Sequence, residues 1–407
     1  MVKVYAVLCL LGLSIAVSNA LNNGLVRTPP MGWLAWERYR CNIDCEKEPD
    51  NCINEDLFLR MANLLNDNGY AAAGYDRVNI DDCWPLHNRD EHGRLVADPV
   101  RFPHGIKYLA DKLHKMNMKL GIYGDYGTKT CGGYPGMMGY IRKDSETFAS
   151  WGIDMLKLDG CYADVKLMNE GYAEVTRALN QTGREIVYSC SWPDYQRIAG
   201  MNVSYENVAK HCNLWRNYID IQDSWDSVTS IIDFYGEPKN YRDFGVVNGP
   251  GQWNDPDMLI LGDYSLSKDQ SIAQFVFWCY FSAPLFMSND LAKIQDWTKE
   301  ILLNADLIAI NQDPLGRMAQ RVSASGGREI WRKELADGSV GVILWNRSTY
   351  GTPVLMTVTF AEVGLSAGRT YCIRDLVTHV NSHATTSFST YVNPAGGVIA
   401  LKVSQAC

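Results

Sequence analysis

Several things are scarce or missing in this chain of 407 residues. It has no long basic run, and 38 Lys and Arg against 46 Asp and Glu leave a formal charge of −8. Nucleic acid and anionic membranes are therefore poor partners for it. Beyond residue 20 no stretch is apolar enough to span a bilayer. No Gly-x-Gly-x-x-Gly turn follows a first strand, which removes the main support for a doubly wound nucleotide-binding sheet. Repeats, low-complexity tracts and long linkers are also missing. Histidine is sparse: there are seven, and none falls at the tip of an expected strand. That argues against the histidine-assisted metal sites of hydrolytic barrels, and no metal or cofactor is expected.

What is present begins with Lys3, an apolar run from Val4 to Val17, and Ser18-Asn19-Ala20. This is the layout of a secretory signal peptide over residues 1–20. A membrane anchor is the alternative, but the run is short of the roughly 20 residues a span needs. Eleven cysteines remain after that leader, and an oxidising compartment makes most of them disulfide candidates. Zinc at Cys41-x3-Cys45 is the rival reading, with no histidine or second close pair beside it. Three sequons, at Asn180, Asn202 and Asn346, agree with passage through a glycosylating pathway.

From Met31 to Leu291, eight short apolar or aromatic runs end in an acid, an amide or a cysteine. Their markers Trp36, Asp81, Asp125, Asp159, Cys190, Asp220, Asp257 and Asp290 stand 30 to 45 residues apart, a spacing that suits one strand, loop and helix. Between them, Glu55 to Asn66 carries Leu57, Met61, Leu64 and Leu65 at helical spacing. Continuous apolar strands alternating with helices eight times over are the pattern of a (β/α)8 barrel. After Gly316 the segments shorten and become extended, with a hairpin signal at Asp337-Gly338. The reading is an α/β chain with a barrel over residues 21–316 and an antiparallel β-sandwich over 317–407.

In such barrels chemistry sits at the carboxyl ends of the strands. Those ends gather Trp36, Asp81, Asp82, Tyr123, Asp125, Lys157, Asp159, Arg216, Asp220 and Asp257 around one mouth. Sugar hydrolysis needs this mixture: one carboxyl group to attack or direct water, another to protonate the leaving oxygen, and aromatic faces and charged donors for the ring. A Schiff-base lysine at Lys157 is a rival, but Asp159 two residues along holds that ammonium charged rather than neutral. A divalent metal on Asp81, Asp82 and Asp257 is another. A noncatalytic lectin is a third.

The motifs then become specific. Pro30-Met-Gly-Trp-Leu-Ala-Trp-Glu-Arg38, Ile80-Asp-Asp-Cys-Trp84, Arg101-Phe-Pro-His-Gly105, Lys157-Leu-Asp-Gly-Cys161, Asp223-Ser-Trp225, Trp253-Asn-Asp-Pro-Asp-Met258 and Asn311-Gln-Asp-Pro-Leu-Gly316 occur in this order. The chain resembles the animal α-galactosidase and α-N-acetylgalactosaminidase family, glycoside hydrolase family 27, from about Leu21 to Gly316 and more loosely beyond. The resemblance implies a retaining glycosidase with Asp159 as nucleophile and Asp220 as acid/base, their carboxyl groups about 5 to 5.5 Å apart. Lys157 and Arg216 are expected to keep Asp159 ionised.

By the same resemblance, Trp36, Asp81, Asp82, Tyr123, Cys131, Lys157, Tyr195, Arg216, Asp257 and Met258 bind the sugar. Implied disulfides join Cys41 to Cys83, Cys45 to Cys52, Cys131 to Cys161 and Cys190 to Cys212. Cys279 is expected to be a buried free thiol, and Cys372 and Cys407 are left unassigned. The family further implies a homodimer and a lysosomal or secreted location.

Choice of sugar turns on Cys190-Ser-Trp-Pro-Asp-Tyr195. Animal α-galactosidases carry Glu and Leu at the positions of Ser191 and Asp194, and the N-acetylgalactosaminidases carry Ser and Ala. Ser191 fits the acetamido pattern, whereas Asp194 fits neither. The expectation is removal of terminal α-linked N-acetylgalactosamine, with α-galactose as a further substrate, from glycolipids, glycoproteins or oligosaccharides; the alternative is an α-galactosidase in which Asp194 contacts the 2-hydroxyl.

Overall fold

The computed structural model describes residues 23–405 apart from residue 367. The expected leader, residues 1–20, and Cys407 lie outside the described residues. Eight parallel strands come first: β1 (Met31–Leu34), β2 (Arg77–Asn79), β3 (Lys119–Asp125), β4 (Met155–Asp159), β5 (Val187–Cys190), β6 (Leu214–Arg216), β7 (Trp253–Asp255) and β8 (Leu285–Met287). They pair in the order β7-β6-β5-β4-β3-β2-β1-β8. The gap between β7 and β8 is closed just past β7, where the Leu259 N–H donates to the Phe286 carbonyl at 2.8 Å and the Leu259 carbonyl accepts from Ser288 N–H at 2.9 Å.

Each strand is short and buried because both of its faces are covered, which is why these segments read as continuous apolar runs. Helices return the chain between strands. Glu55–Asp67 is one of them: Asn54 caps its start by accepting from the Leu57 N–H at 2.8 Å, and Leu57, Phe58, Met61, Ala62 and Leu65 are its buried face. Losing that cap costs about 1 kcal/mol. Each large apolar side chain buried along such a face contributes roughly 1.5–3 kcal/mol.

The second unit is antiparallel, with β9 (Gln320–Ser325), β10 (Arg328–Glu334), β11 (Val340–Asn346), β12 (Val354–Thr359), β13 (Tyr371–Asp375), β14 (Asn381–Ala384), β15 (Ser387–Val392) and β16 (Val398–Ser404). Six strands form one sheet and β12 pairs β15 in a second. Between them lies a separate core of Val342, Leu344, Met356, Val358, Ile373 and Leu401, among others. The sandwich packs on the barrel helix Lys268–Tyr280, where Tyr280 OH donates to the Leu401 carbonyl at 2.8 Å and Phe277 meets Trp331 and Trp345. Lys333 completes the seam, its buried ammonium donating to the Cys279 and Ile310 carbonyls and to Ser282 Oγ.

Between described residues, four disulfides join Cys41–Cys83, Cys45–Cys52, Cys131–Cys161 and Cys190–Cys212, and Cys279 is a buried free thiol. Cys372 is disulfide-bonded. Asn180 and Asn202 are exposed. Asn346 is a correction to the sequence reading: it is fully buried at the end of β11, where its amide donates to the Val392 carbonyl at 3.2 Å, so a glycan has no room there. A sequon triplet carries no information about burial. Among the described residues no helix is long and apolar enough to cross a membrane.

Candidate active site

The carboxyl ends of β3 and β4 build the first half of the site. These strands pair with Tyr123 opposite Lys157 and Asp125 opposite Asp159, so four chemistry-bearing side chains meet on two neighbouring strands. Asp159 ends β4. Its Oδ1 accepts from Tyr195 OH at 2.8 Å and from Gly160 N–H at 3.0 Å, and its Oδ2 accepts from Tyr123 OH at 2.9 Å. Burial first, and then the Asp159 charge, raise both tyrosines above their ordinary pKa, so each stays a neutral donor. The Cys131–Cys161 disulfide lies against the same carboxylate, with Cys131 Sγ 3.5 Å from Oδ2. Asp125 steadies that loop by accepting from Gly127 N–H at 2.7 Å and Cys161 N–H at 3.0 Å, and burial followed by Asp159 pushes it up to about 9.

Asp81 and Asp82 follow β2. Lys157 Nζ lies 2.7 Å from Asp81 Oδ2. Burial works against the charge on Lys157, but Asp81, Asp257 and Asp159 outweigh it and hold the ammonium above its ordinary value. Asp82 accepts from Gly132 N–H at 2.7 Å, tying the disulfide loop to the β2 end. A Cβ on Gly132 would stand 3.0 Å from Asp82 Oδ2 and 2.8 Å from Cys83 Sγ, so only glycine permits this approach. Burial pushes Asp82 up to about 6.

The second half comes from the loops after β6, β7 and β1. Arg216 ends β6 and pairs with Asp220 and with Asp257, each at 3.1 Å. Asp257 Oδ2 accepts from Ile221 N–H at 2.8 Å, which fixes the loop just past Asp220. Burial pushes Asp257 up to about 6 despite Arg216. Burial also acts to raise Asp220, but Arg216 and Lys157 outweigh it and hold that carboxyl below its ordinary value. Met258 is fully buried, and Trp36 is half-buried with the Arg40 guanidinium 5.6 Å above its ring.

One expectation needs correction. Asp220 is not on a strand: β6 stops at Arg216, and Asp220 lies in the loop beyond, its side chain 58% exposed. Arg216 pairs with Asp220 and Asp257. Lys157 and Asp159 attract through space, while the direct hydrogen bonds to Asp159 come from two tyrosines and a backbone amide.

Asp194 lies in the short helix Trp192–Ile198, and Ser191 is buried just before it. Asp194 Oδ1 accepts from Arg197 Nε at 3.0 Å and from Arg197 Nη2 at 2.7 Å. Arg197 in turn stacks on Tyr218 at 4.9 Å. Sequence reasoning passed over Arg197, although its i,i+3 spacing from Asp194 on one helix was a usable signal. Glu37 was passed over too. It accepts from Asp223 N–H at 2.8 Å and pairs with Arg40, clasping the loop after β1 to the loop that carries Asp220. Burial pushes Glu37 up to about 7.

Among the described residues one trio of metal-ligating types clusters closely, Asp125 with Cys131 and Cys161. Its two sulfurs are bonded to each other and offer no thiolate.

Residues 28–313 match the model of the family described as alpha galactosidase A, and residues 325–403 match that of the alpha galactosidase C-terminal beta sandwich domain. The chain belongs to the alpha galactosidase family. Within that family it is 48% identical over 385 residues to an alpha-N-acetylgalactosaminidase of Gallus gallus, covering 93% of this chain and 94% of the relative. It is 48% identical over 358 residues to alpha-galactosidase A of Homo sapiens, covering 88% and 83%. Among solved alpha galactosidase structures, alpha-galactosidase I from Mortierella vinacea superposes with a TM-score of 0.82 at 31% identity, covering 94% of this chain and 98% of that one.

Proposed function

We propose that the chain is a retaining exoglycosidase that removes terminal α-linked N-acetylgalactosamine, with Asp159 as nucleophile and Asp220 as acid/base. Asp159 forms a bond to the anomeric carbon while the bond to the leaving oxygen breaks and Asp220 delivers its proton to that oxygen. Water then attacks the same carbon, its proton passes to Asp220, and the bond to Asp159 is released. Tyr123, Tyr195 and the Gly160 amide orient the attacking carboxylate. Asp81, Asp82, Lys157, Arg216 and Asp257 meet the ring hydroxyls, and Trp36 and Met258 supply its apolar contacts.

The observation that carries the choice of sugar is the Asp194–Arg197 pair. A carboxylate left unpaired beside an acetyl methyl would be costly. Paired with Arg197 it is neutralised, and the small Ser191 leaves room for the acetamido group. The names of the relatives support hydrolysis of either sugar. The alternative reading, an α-galactosidase, needs Asp194 to leave Arg197 and accept from the 2-hydroxyl. A noncatalytic lectin has no need of an acid/base carboxyl group such as Asp220.

The leader and the cysteine usage support a secreted or lysosomal location, with Asn180 and Asn202 as glycan acceptors; the resemblance supports a homodimer. The deciding experiment is kcat/KM at acid pH on matched nitrophenyl α-N-acetylgalactosaminide and α-galactoside. Preference for the acetamido sugar is expected. Preference for galactose overturns the choice of sugar, and turnover of neither overturns the hydrolase reading.

A further inference from the structure

The Asp220 side chain is 58% exposed and meets one cation, Arg216, at 3.1 Å. Its place is therefore set by the backbone of the loop after β6. Arg216 Nη2 donates to the Tyr218 carbonyl at 3.0 Å, and Asp257 Oδ2 accepts from Ile221 N–H at 2.8 Å. A further hold comes from the interior. Asn217, the first residue past β6, is fully buried; its Nδ2 donates to Asn254 Oδ1 on β7 at 2.9 Å, and its Oδ1 accepts from Tyr235 OH at 2.8 Å. Arg216 and Asp257 face the sugar in the proposed chemistry, whereas Asn217 has no part in it.

The direction of each bond in this network is fixed by its neighbours. Trp215 Nε1 can only donate, and does so to Asn254 Oδ1 at 2.8 Å; the Phe244 carbonyl can only accept, and does so from Asn254 Nδ2 at 2.9 Å. The Asn254 amide thus has a single orientation. Its oxygen must be met by a donor, so Asn217 turns its NH2 toward Asn254 and its oxygen toward the Tyr235 hydroxyl. On the other side, Asn248 Oδ1 accepts from Asn254 N–H at 2.8 Å and from Asn254 Nδ2 at 3.1 Å, and Asn248 Nδ2 donates to the Gly316 carbonyl at 2.8 Å. Asn254 and Gly316 belong to the two motifs Trp253–Met258 and Asn311–Gly316. Asn217, Asn248 and Asn254 are each 3% exposed or less. Burying amides is costly unless every group is paired, and a fully paired network specifies one arrangement where apolar side chains of the same size would leave several.

We propose that Asn217 is a positioning residue for the acid/base carboxyl group: its buried amide, keyed between Asn254 and Tyr235, fixes where the loop after β6 carries Asp220. This rests on the reading of Asp220 as acid/base. A misplacement of about 1 Å at a reacting group costs on the order of 10²-fold in rate. The test measures kcat/KM of the full chain on the phenyl and dinitrophenyl glycosides of the sugar it turns over faster. Phenoxide needs a proton to leave and dinitrophenoxide scarcely does, so the ratio of the two reports the acid. Asn217→Ala should lose about tenfold or more on the phenyl glycoside and less than about threefold on the dinitrophenyl one. Tyr235→Phe keeps the ring and removes only the donor to Asn217; it should shift the ratio in the same direction by a smaller factor, and it decides the matter if Asn217→Ala does not fold. Equal losses on both substrates, the mark of a merely structural residue, or no loss on either overturns the proposal. Asp220→Asn separates this inference from the reading beneath it. A ratio that Asp220→Asn leaves unmoved sinks the acid/base assignment, and a ratio moved by Asp220→Asn alone sinks only the positioning role of Asn217.

Discussion

The Asp194 carboxylate is held by Arg197, three residues along the same helix, through contacts of 3.0 Å from Nε and 2.7 Å from Nη2 to one oxygen. A residue that looked in sequence like an obstacle to an acetamido group is thereby neutralised.

Removing Arg197 should therefore change specificity more than stability. On the proposed placement of Asp194 at the 2-position, Arg197→Ala leaves an unpaired acid there, and kcat/KM on the N-acetylgalactosaminide should fall about tenfold relative to the galactoside. Asp194→Ala should preserve or raise the acetamido preference. A ratio of the two activities that neither variant moves would show that this pair does not decide the sugar.

Tyr195→Phe removes one of two hydroxyls that orient the Asp159 carboxylate. Hydrogen bonds to charged groups are worth about 1.5–3 kcal/mol, so kcat should fall roughly 10- to 100-fold. KM should change less. Asp159→Asn should abolish turnover with the melting temperature retained, and residual activity equal to the Tyr195→Phe level would rule out Asp159 as nucleophile.

In the proposed mechanism the leaving oxygen needs a protonated Asp220, yet Arg216 and Lys157 hold that carboxyl below its ordinary value in the free protein. Its protonated fraction shrinks as pH rises, so kcat/KM should be highest in acid and fall about tenfold per pH unit on the basic side. Asp220→Asn should lose about 10²- to 10⁴-fold and flatten that limb. The loss should be smaller with a dinitrophenyl leaving group, which needs less protonation. A wild-type profile level from pH 4 to pH 8 would remove Asp220 from the acid role.

Stability should follow the buried acids. Burial pushes Asp82 and Asp257 up to about 6, Glu37 to about 7, and Asp125 and Asp263 to about 9. Unfolded carboxyl groups titrate at about 4, so between that pH and these raised values the folded state binds more protons than the unfolded one. This contribution is fully present below about pH 4 and is lost as pH rises through 6 to 9. Melting temperatures should be higher near pH 5 than at pH 8, and Asp263→Asn should shrink the difference. A melting temperature that rises toward pH 8 would contradict the burial of these groups in protonated form.

Much of this protein is legible along the chain. The eight strand positions are fixed locally, because a strand covered on both faces must be a short apolar run and its exit must be polar. The Glu55–Asp67 helix and the Asp337-Gly338 hairpin follow from periodicity and turn chemistry in the same way. The strands β9, β14 and β15 were not legible: they are short and half-exposed, and their polar composition resembles loops until a neighbouring strand supplies the other half of their hydrogen bonds.

Tertiary structure alone decided which charges face each other. Ion pairing depends on ångström-scale geometry across strands far apart in the chain, and the fold pairs Lys157 with Asp81 and Arg216 with Asp220 and Asp257. It likewise buried Asn346 within an intact sequon. Asp263 was mute in sequence, one acid among 46 Asp and Glu. Only the folding of the segments after β1, β7 and β8 around it stripped it of water and of hydrogen-bond partners. Residue type and local period determine which elements form, whereas desolvation and pairing are properties of the packed molecule.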